Sequence, residues 1–121
     1  MNTIDVAALV DAWIAAWNAH DLERVFELYV DEFEMRSPLI IKRGFSKDGV
    51  LRGKAQIRPY WSIGISASPP LKFELMEWYA GVNSVCIVYN SVGRKKVCEM
   101  LFVNDEGKIV LGVSHHLHVS S

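Results

Sequence analysis

The chain has 121 residues, half of them hydrophobic and 22% charged, with a formal net charge of −1. That length suits a single domain, residues 1–121, with a core of its own. The near-neutral balance argues against a nucleic-acid partner, and no apolar run reaches the roughly 18 residues of a membrane span.

Residues 4–17 carry the first periodic signal. Val6, Leu9, Val10, Trp13 and Trp17 recur at helical spacing and form one apolar stripe. Asp5 suits the positive end of the helix dipole. Asn18-Ala19-His20-Asp21 breaks the pattern: Asn18 can close this helix in a left-handed conformation, and Asp21, a better cap than His20, can open the next. Residues 21–30 predict a shorter helix with the stripe Leu22, Val25, Phe26 and Tyr29, folded back on the first as a hairpin.

At residues 32–37 the period changes to two. Phe33, Met35 and Ser37 face one way and Glu32, Glu34 and Arg36 the other, which predicts a short strand with one wet face. Pro38 ends it or marks an edge. Residues 38–52 read as a long connection, loosened by Gly44 and Gly49 and made basic by Lys42, Arg43, Lys47 and Arg52. A loop this long in so small a domain is either a lid or binding loop or a solvated excursion. Residues 53–65 predict a third helix with Ile57, Tyr60, Trp61, Gly64 and Ile65 on one broad apolar face. Pro59 kinks it or marks its true first turn.

Four strands follow, at residues 71–78, 85–89, 95–103 and 109–119, joined by turns rich in Gly and Asn. Helices first and strands last predict an α+β fold, with three helices packed on one face of a curved, mostly antiparallel sheet. Alternation sets Leu71, Phe73 and Leu75 against Met76 and Trp78. The face away from the helices then holds Met76, Trp78, Cys98, Met100 and Phe102 uncovered, an apolar surface suited to a homodimer. Cys86 and Cys98 read as small core hydrophobes. With no signal peptide at the N-terminus, a reduced, cytoplasmic setting is expected.

The stretch Val97–Val103 organises the rest. Val97, Glu99, Leu101 and Val103 share one face, Cys98, Met100 and Phe102 the other, and both faces are apolar. Glu99 is then a buried or half-buried carboxylate: either a group poised in a pocket, or a strand-end side chain that reaches water or a lysine. A two-residue hairpin loop, Asp105-Glu106, places Glu99 opposite Gly112, with Val110, Gly112, Ser114, His116 and His118 on its face. Gly112 there leaves an unfilled space for a ligand, or marks a simple bend. His116 falls opposite Lys95, on the order of 13 Å along the strand from Glu99. There it acts as acid, base or donor near neutral pH, or is a solvated rim residue. His116 and His118 have no evident third ligand, so no metal is expected. His20 and His115 read as structural or exposed. Trp13, Trp17 and Trp61 point at the sheet as core residues, and as aromatic walls if a pocket exists.

Four stretches resemble the NTF2-like superfamily, in its SnoaL-like and ketosteroid-isomerase-like branch. They are Ala15-Ala16-Trp17-Asn18-Ala19-His20-Asp21-Leu22, Met35-Arg36-Ser37-Pro38, Gly53-Lys54-Ala55-Gln56-Ile57-Arg58 and Asn104-Asp105-Glu106-Gly107-Lys108-Ile109-Val110. The resemblance implies a cone-shaped α+β fold with a deep pocket between helices and sheet. By it, Glu99 falls where ketosteroid isomerases carry an acid of the oxyanion hole, and Ser37 where they carry the carboxylate base. Trp13 and Trp61 fall at two tyrosine positions and His116 at an aromatic pocket position. Serine cannot serve as that base, and an indole donates without reproducing a phenol.

The expected function is a small-molecule pocket protein that performs acid/base chemistry, without cofactor or metal, on an apolar carbonyl-bearing compound such as a polyketide or steroid. Glu99 and His116 are its expected catalytic groups. Trp13, Trp17, Ser37, Tyr60, Trp61, Leu101, Gly112 and Ser114 are the expected substrate contacts. The alternative is a non-catalytic ligand-binding or dimerisation module of the same fold, with Glu99 bonded to protein groups.

Overall fold

The structure is a computed structural model that describes residues 3–117. His118, with its place beside His116, lies outside them.

Helix α1, Thr3–Asn18, is followed by α2, Leu22–Phe26. Asp21 caps α2, its side chain accepting from the Arg24 N–H at 3.1 Å. The left-handed residue between the helices is His20, with φ 57°, rather than Asn18. Asn18 is thereby free for another role. Its side chain donates to the Phe73 carbonyl at 2.9 Å and accepts from the Phe73 N–H at 2.7 Å, while His20 Nε2 meets the Leu71 carbonyl at 2.6 Å. These bonds tie residues 71–73 to the end of α1, so Leu71 and Phe73 are buried outside any strand.

Helix α2 is shorter than its apolar stripe suggests. The Leu28 carbonyl accepts from the Ile109 N–H at 2.9 Å. Strand β1, Tyr29–Arg36, therefore begins where another helical turn would have continued. Sheet pairing has overridden local periodicity, and Tyr29 becomes a strand residue. The connection at 38–52 is also corrected. Ser37 accepts from the Leu39 N–H at 3.1 Å and caps a short helix, α3, Pro38–Lys42, with Pro38 in its first turn. Strand β2, Val50–Arg52, then pairs antiparallel with β1, Met35 opposite Leu51. The last helix, α4, Gly53–Ile65, runs on through Pro59.

The remaining strands are β3, Glu74–Gly81; β4, Ser84–Ser91; β5, Lys95–Val103; and β6, Ile109–His116. The six form one sheet in the order β2-β1-β6-β5-β4-β3. Only the β1–β6 pair is parallel. It closes the N-terminal hairpin onto the C-terminal meander. The core lies between the helices and the inner face of the sheet, where Phe33, Ile57, Ile87, Leu101 and Ile109 are fully buried.

The outer face differs from expectation in two ways. A bulge between Leu75 and Glu77 adds one residue to β3, which places Trp78 opposite Ile87 and turns it toward the core. Tyr79, not Trp78, is left exposed on the outside. Cys86 and Cys98 are diagonal neighbours on β4 and β5 and form a disulfide. This corrects the expectation of two reduced core cysteines, and removes cysteine usage as an argument for the cytoplasm. None of the described helices is long and apolar enough to cross a membrane.

Candidate active site

The site depends on how β5 and β6 are registered. Val103 pairs with Ile109 around a loop closed by the Asn104 N–H to the Lys108 carbonyl at 2.9 Å, one residue longer than a two-residue hairpin. A bulge between this pair and Phe102–Leu111 adds another residue. Two shifts of one restore the original faces but move every partner by two. Glu99 therefore lies opposite Ser114, Leu101 opposite Gly112 and Val97 opposite His116. Val110, on the bulge, leaves the inner face and is exposed. The pairing of His116 with Lys95 and its separation of about 13 Å from Glu99 are both corrected. His116 is one same-face step from the Glu99–Ser114 pair, roughly 7 Å along the strand.

Glu99 is only 2% exposed. The Ser114 hydroxyl donates to its Oε1. Its Oε2 lies over Gly112, where an added Cβ would stand 3.3 Å away, and 3.4 Å from Met35 Sδ. The glycine thus leaves no unfilled space, because the carboxyl already occupies it. Burial raises the Glu99 pKa to about 7, against the opposing pull of the Ser114 hydrogen bond. Near neutrality the group divides between a carboxylic acid and a carboxylate.

A cavity of about 560 Å³ opens above it, between α1, α3, α4 and the inner sheet face. Trp13, Trp17, Tyr60, Trp61, Glu99, Ser114 and His116 all line it. Ser37, Leu101 and Gly112 lie behind the lining: Ser37 caps α3 and receives a 3.4 Å contact from the Tyr60 hydroxyl, Leu101 is fully buried, and Gly112 makes room for Glu99. The indoles stack into one wall, Trp17 meeting Trp61 edge-on at 5.0 Å and Trp13 at 6.2 Å. Trp13 Nε1 donates to the Tyr29 hydroxyl at 2.9 Å, whereas Trp17 Nε1 is buried with no acceptor among the described residues.

Several wall residues are not among the expected contacts. Tyr29 is predicted on a helix stripe and Tyr89 within a strand, and both line the cavity. Burial raises both phenols far above the ordinary value, and the nearby Glu99 charge adds to it. Tyr60 is shifted the same way, chiefly by burial. Their signal in the sequence was weak, since a lone tyrosine suits helix stripe and strand alike. Lys42, Arg43 and Lys95 also line the cavity. Half-burial lowers the His116 pKa, and its neighbours Arg43, His115 and Lys95 lower it further. The shift favours the neutral imidazole. The arrangement can hold a flat apolar molecule, offer a neutral acid to an oxygen, and present a neutral imidazole one step away. Among the described residues, no cluster of three or more His, Cys, Asp or Glu is placed to hold a metal ion.

The SnoaL-like domain family matches residues 10–119 of the chain. A SnoaL-like protein of unknown function from Burkholderia thailandensis superposes with a TM-score of 0.91 at 33% identity, over 97% of this chain and 98% of that one. A candidate ketosteroid isomerase from Kribbella flavida gives a TM-score of 0.74 at 15% identity, over 98% and 82% of the two chains. A candidate polyketide cyclase from Sinorhizobium meliloti gives 0.74 at 12% identity, over 95% and 100%. The last two likenesses establish a shared fold alone. No curated protein matches the chain.

Proposed function

Because this chain belongs to the SnoaL-like family, we propose that it is a cofactor-independent acid/base enzyme, of isomerase, cyclase or lyase type, acting on an apolar carbonyl compound. One observation carries the reading. The carboxyl of Glu99 sits buried at an aromatic cavity of about 560 Å³ with its pKa raised to about 7. A structural carboxylate gains nothing from such a place, whereas a general acid near neutrality does. The fold relatives described as candidate ketosteroid isomerase and polyketide cyclase support the chemistry by analogy.

In this reading the neutral Glu99 carboxyl donates to the substrate carbonyl oxygen. The neutral His116 imidazole takes a proton from the adjacent carbon. The electron pair of that C–H bond moves toward the carbonyl, and the enol forms as Glu99 delivers its proton to oxygen. Both groups are in their working forms together in a window that ends above about 7, where Glu99 ionises, and at lower pH, where His116 takes a proton. Tyr60, Trp13, Trp17 and Trp61 hold the apolar body.

The test is a panel of cyclic ketones and β-dicarbonyl compounds scored for turnover. Glu99→Gln should keep the fold and lose at least about 100-fold in kcat, and wild-type kcat/KM should fall above pH about 7 as Glu99 ionises. Equal rates in the two proteins would remove Glu99 from the chemistry.

A binding module without turnover is the second reading. It is favoured by the bond from Ser114, which already satisfies one Glu99 oxygen. Saturable binding that survives Glu99→Gln, with no turnover across the panel, would support it. In either reading we place a second copy of this chain on the outer sheet face. There Tyr79 is exposed, and Met100 and Phe102 are half-buried. A monomer by light scattering at micromolar concentration would remove that contact.

A further inference from the structure

The mouth of the cavity has a charge pattern that acid/base chemistry on a neutral ketone does not require. Lys42 and Arg43, at the end of α3, and Lys95, at the start of β5, all line it. Among the described residues Glu99 is the only carboxylate in the lining, and it lies at the buried end. The salt bridges among described residues use Arg36, Arg52, Lys54 and Arg58, and none involves these three cations. Arg43 instead lies over the Tyr60 ring, 5.5 Å from its centroid, which holds the guanidinium at the aromatic wall. Three like charges gathered at one opening repel one another unless something negative joins them.

Resting on the pocket reading above, we propose that the ligand is an amphipathic monoanion, a flat apolar carbonyl compound whose carboxylate seats among Lys42, Arg43 and Lys95. The fold also sizes it. Lys95 and Glu99 share the inner face of β5 four residues apart, on the order of 13 Å. The anion and the reacting carbonyl therefore sit at opposite ends of a body about two to three aromatic rings long. Binding by the anionic end would orient the carbonyl toward Glu99 without placing negative charge beside a carboxyl that must stay neutral. His116 lies between the two ends; burial is the main cause of its lowered pKa, and two of these cations, Arg43 and Lys95, lower it further.

The test compares 4′-acetylbiphenyl-4-carboxylate with the uncharged 4′-acetylbiphenyl-4-carboxamide, whose two rings separate the ketone from the other end, read by quenching of tryptophan fluorescence from the three indoles in the wall. The carboxylate should bind wild type at least about tenfold more tightly than the amide at low ionic strength, with the ratio shrinking as salt rises. In the triple variant Lys42→Gln, Arg43→Gln, Lys95→Gln the ratio should approach one while the amide binds as before. All three side chains are exposed, so the variant is expected to fold. Equal or tighter binding of the amide by wild type overturns the proposal. So does a preference that survives the triple variant, since the anion would then be held elsewhere. If neither compound quenches wild type, the proposal falls together with the pocket reading. A preserved carboxylate preference with no turnover in any ketone panel would instead sink the enzyme reading alone.

Discussion

Gly112 and Glu99 occupy one space between them: a Cβ on Gly112 would stand 3.3 Å from Glu99 Oε2. The glycine is what lets the carboxyl lie against β6, and the same Cβ would also meet Met35 Sδ at 3.4 Å and Leu101 Cδ2 at 3.5 Å. Gly112→Ala therefore sets two effects against each other. An alanine stiffens the unfolded chain, which favours folding by about 0.4–1 kcal/mol. Crowding three neighbours in a packed core costs about 1–3 kcal/mol. The second should win, for a net loss of about 1 kcal/mol by urea denaturation. In the proposed reaction activity should fall further than stability, because the atom displaced belongs to the proposed general acid. A stabilised Gly112→Ala protein would mean that the space is open after all.

The raised pKa of Glu99 makes a prediction for stability against pH. Below the ordinary carboxyl value of 4.5 the group is protonated whether the chain is folded or not. Between 4.5 and about 7 the unfolded chain releases its proton while the folded chain keeps it, so rising pH favours unfolding. Above about 7 both states are ionised and the effect levels off. The stability of wild type relative to Glu99→Gln should thus fall by about 3 kcal/mol across that window and stay flat beyond it. Parallel urea titrations at five pH values would show it. A constant difference would mean that Glu99 titrates normally. At pH 8, Glu99→Leu should be no less stable than wild type, since it removes a buried charge bonded to a hydroxyl rather than to a cation.

Trp13 and Trp17 are neighbours on one helix with opposite hydrogen-bond status. Trp13 donates to Tyr29, while the buried Trp17 Nε1 has no acceptor among the described residues. Replacing each by Phe removes a similar volume but different polar terms. Trp13→Phe loses a buried hydrogen bond and strips the Tyr29 hydroxyl of a partner. Trp17→Phe removes an unsatisfied donor. Trp13→Phe should be the more destabilising by about 1–2 kcal/mol. Equal losses in thermal melts would show that Trp17 has found a partner in solution.

Much of this was legible in the sequence, for a common reason. The helices at 4–17 and 53–65, the strand at 95–103 and the burial of Glu99 all rest on period, and period depends only on neighbours along the chain. The α+β class followed from the order of those elements, and the family resemblance from four stretches of specific residues, at 15–22, 35–38, 53–58 and 104–110. The SnoaL-like match over residues 10–119 agrees with them. What period could not give was register. The β5–β6 partners moved by two because a wider loop and a bulge each added one, and neither leaves a mark on the alternation. That shift brought His116 near Glu99 and put Ser114 on its carboxyl. The bulge at Met76 likewise turned Trp78 inward and left Tyr79 outside. Tyr29 joined the cavity because β6 captured Leu28 before α2 could continue. The cationic mouth arose because two stretches of basic residues, distant in sequence, meet at one opening. Local sequence therefore determined which elements form and which residues face inward. Pairing between distant strands, where one residue more or less moves every partner, decided which of those residues meet.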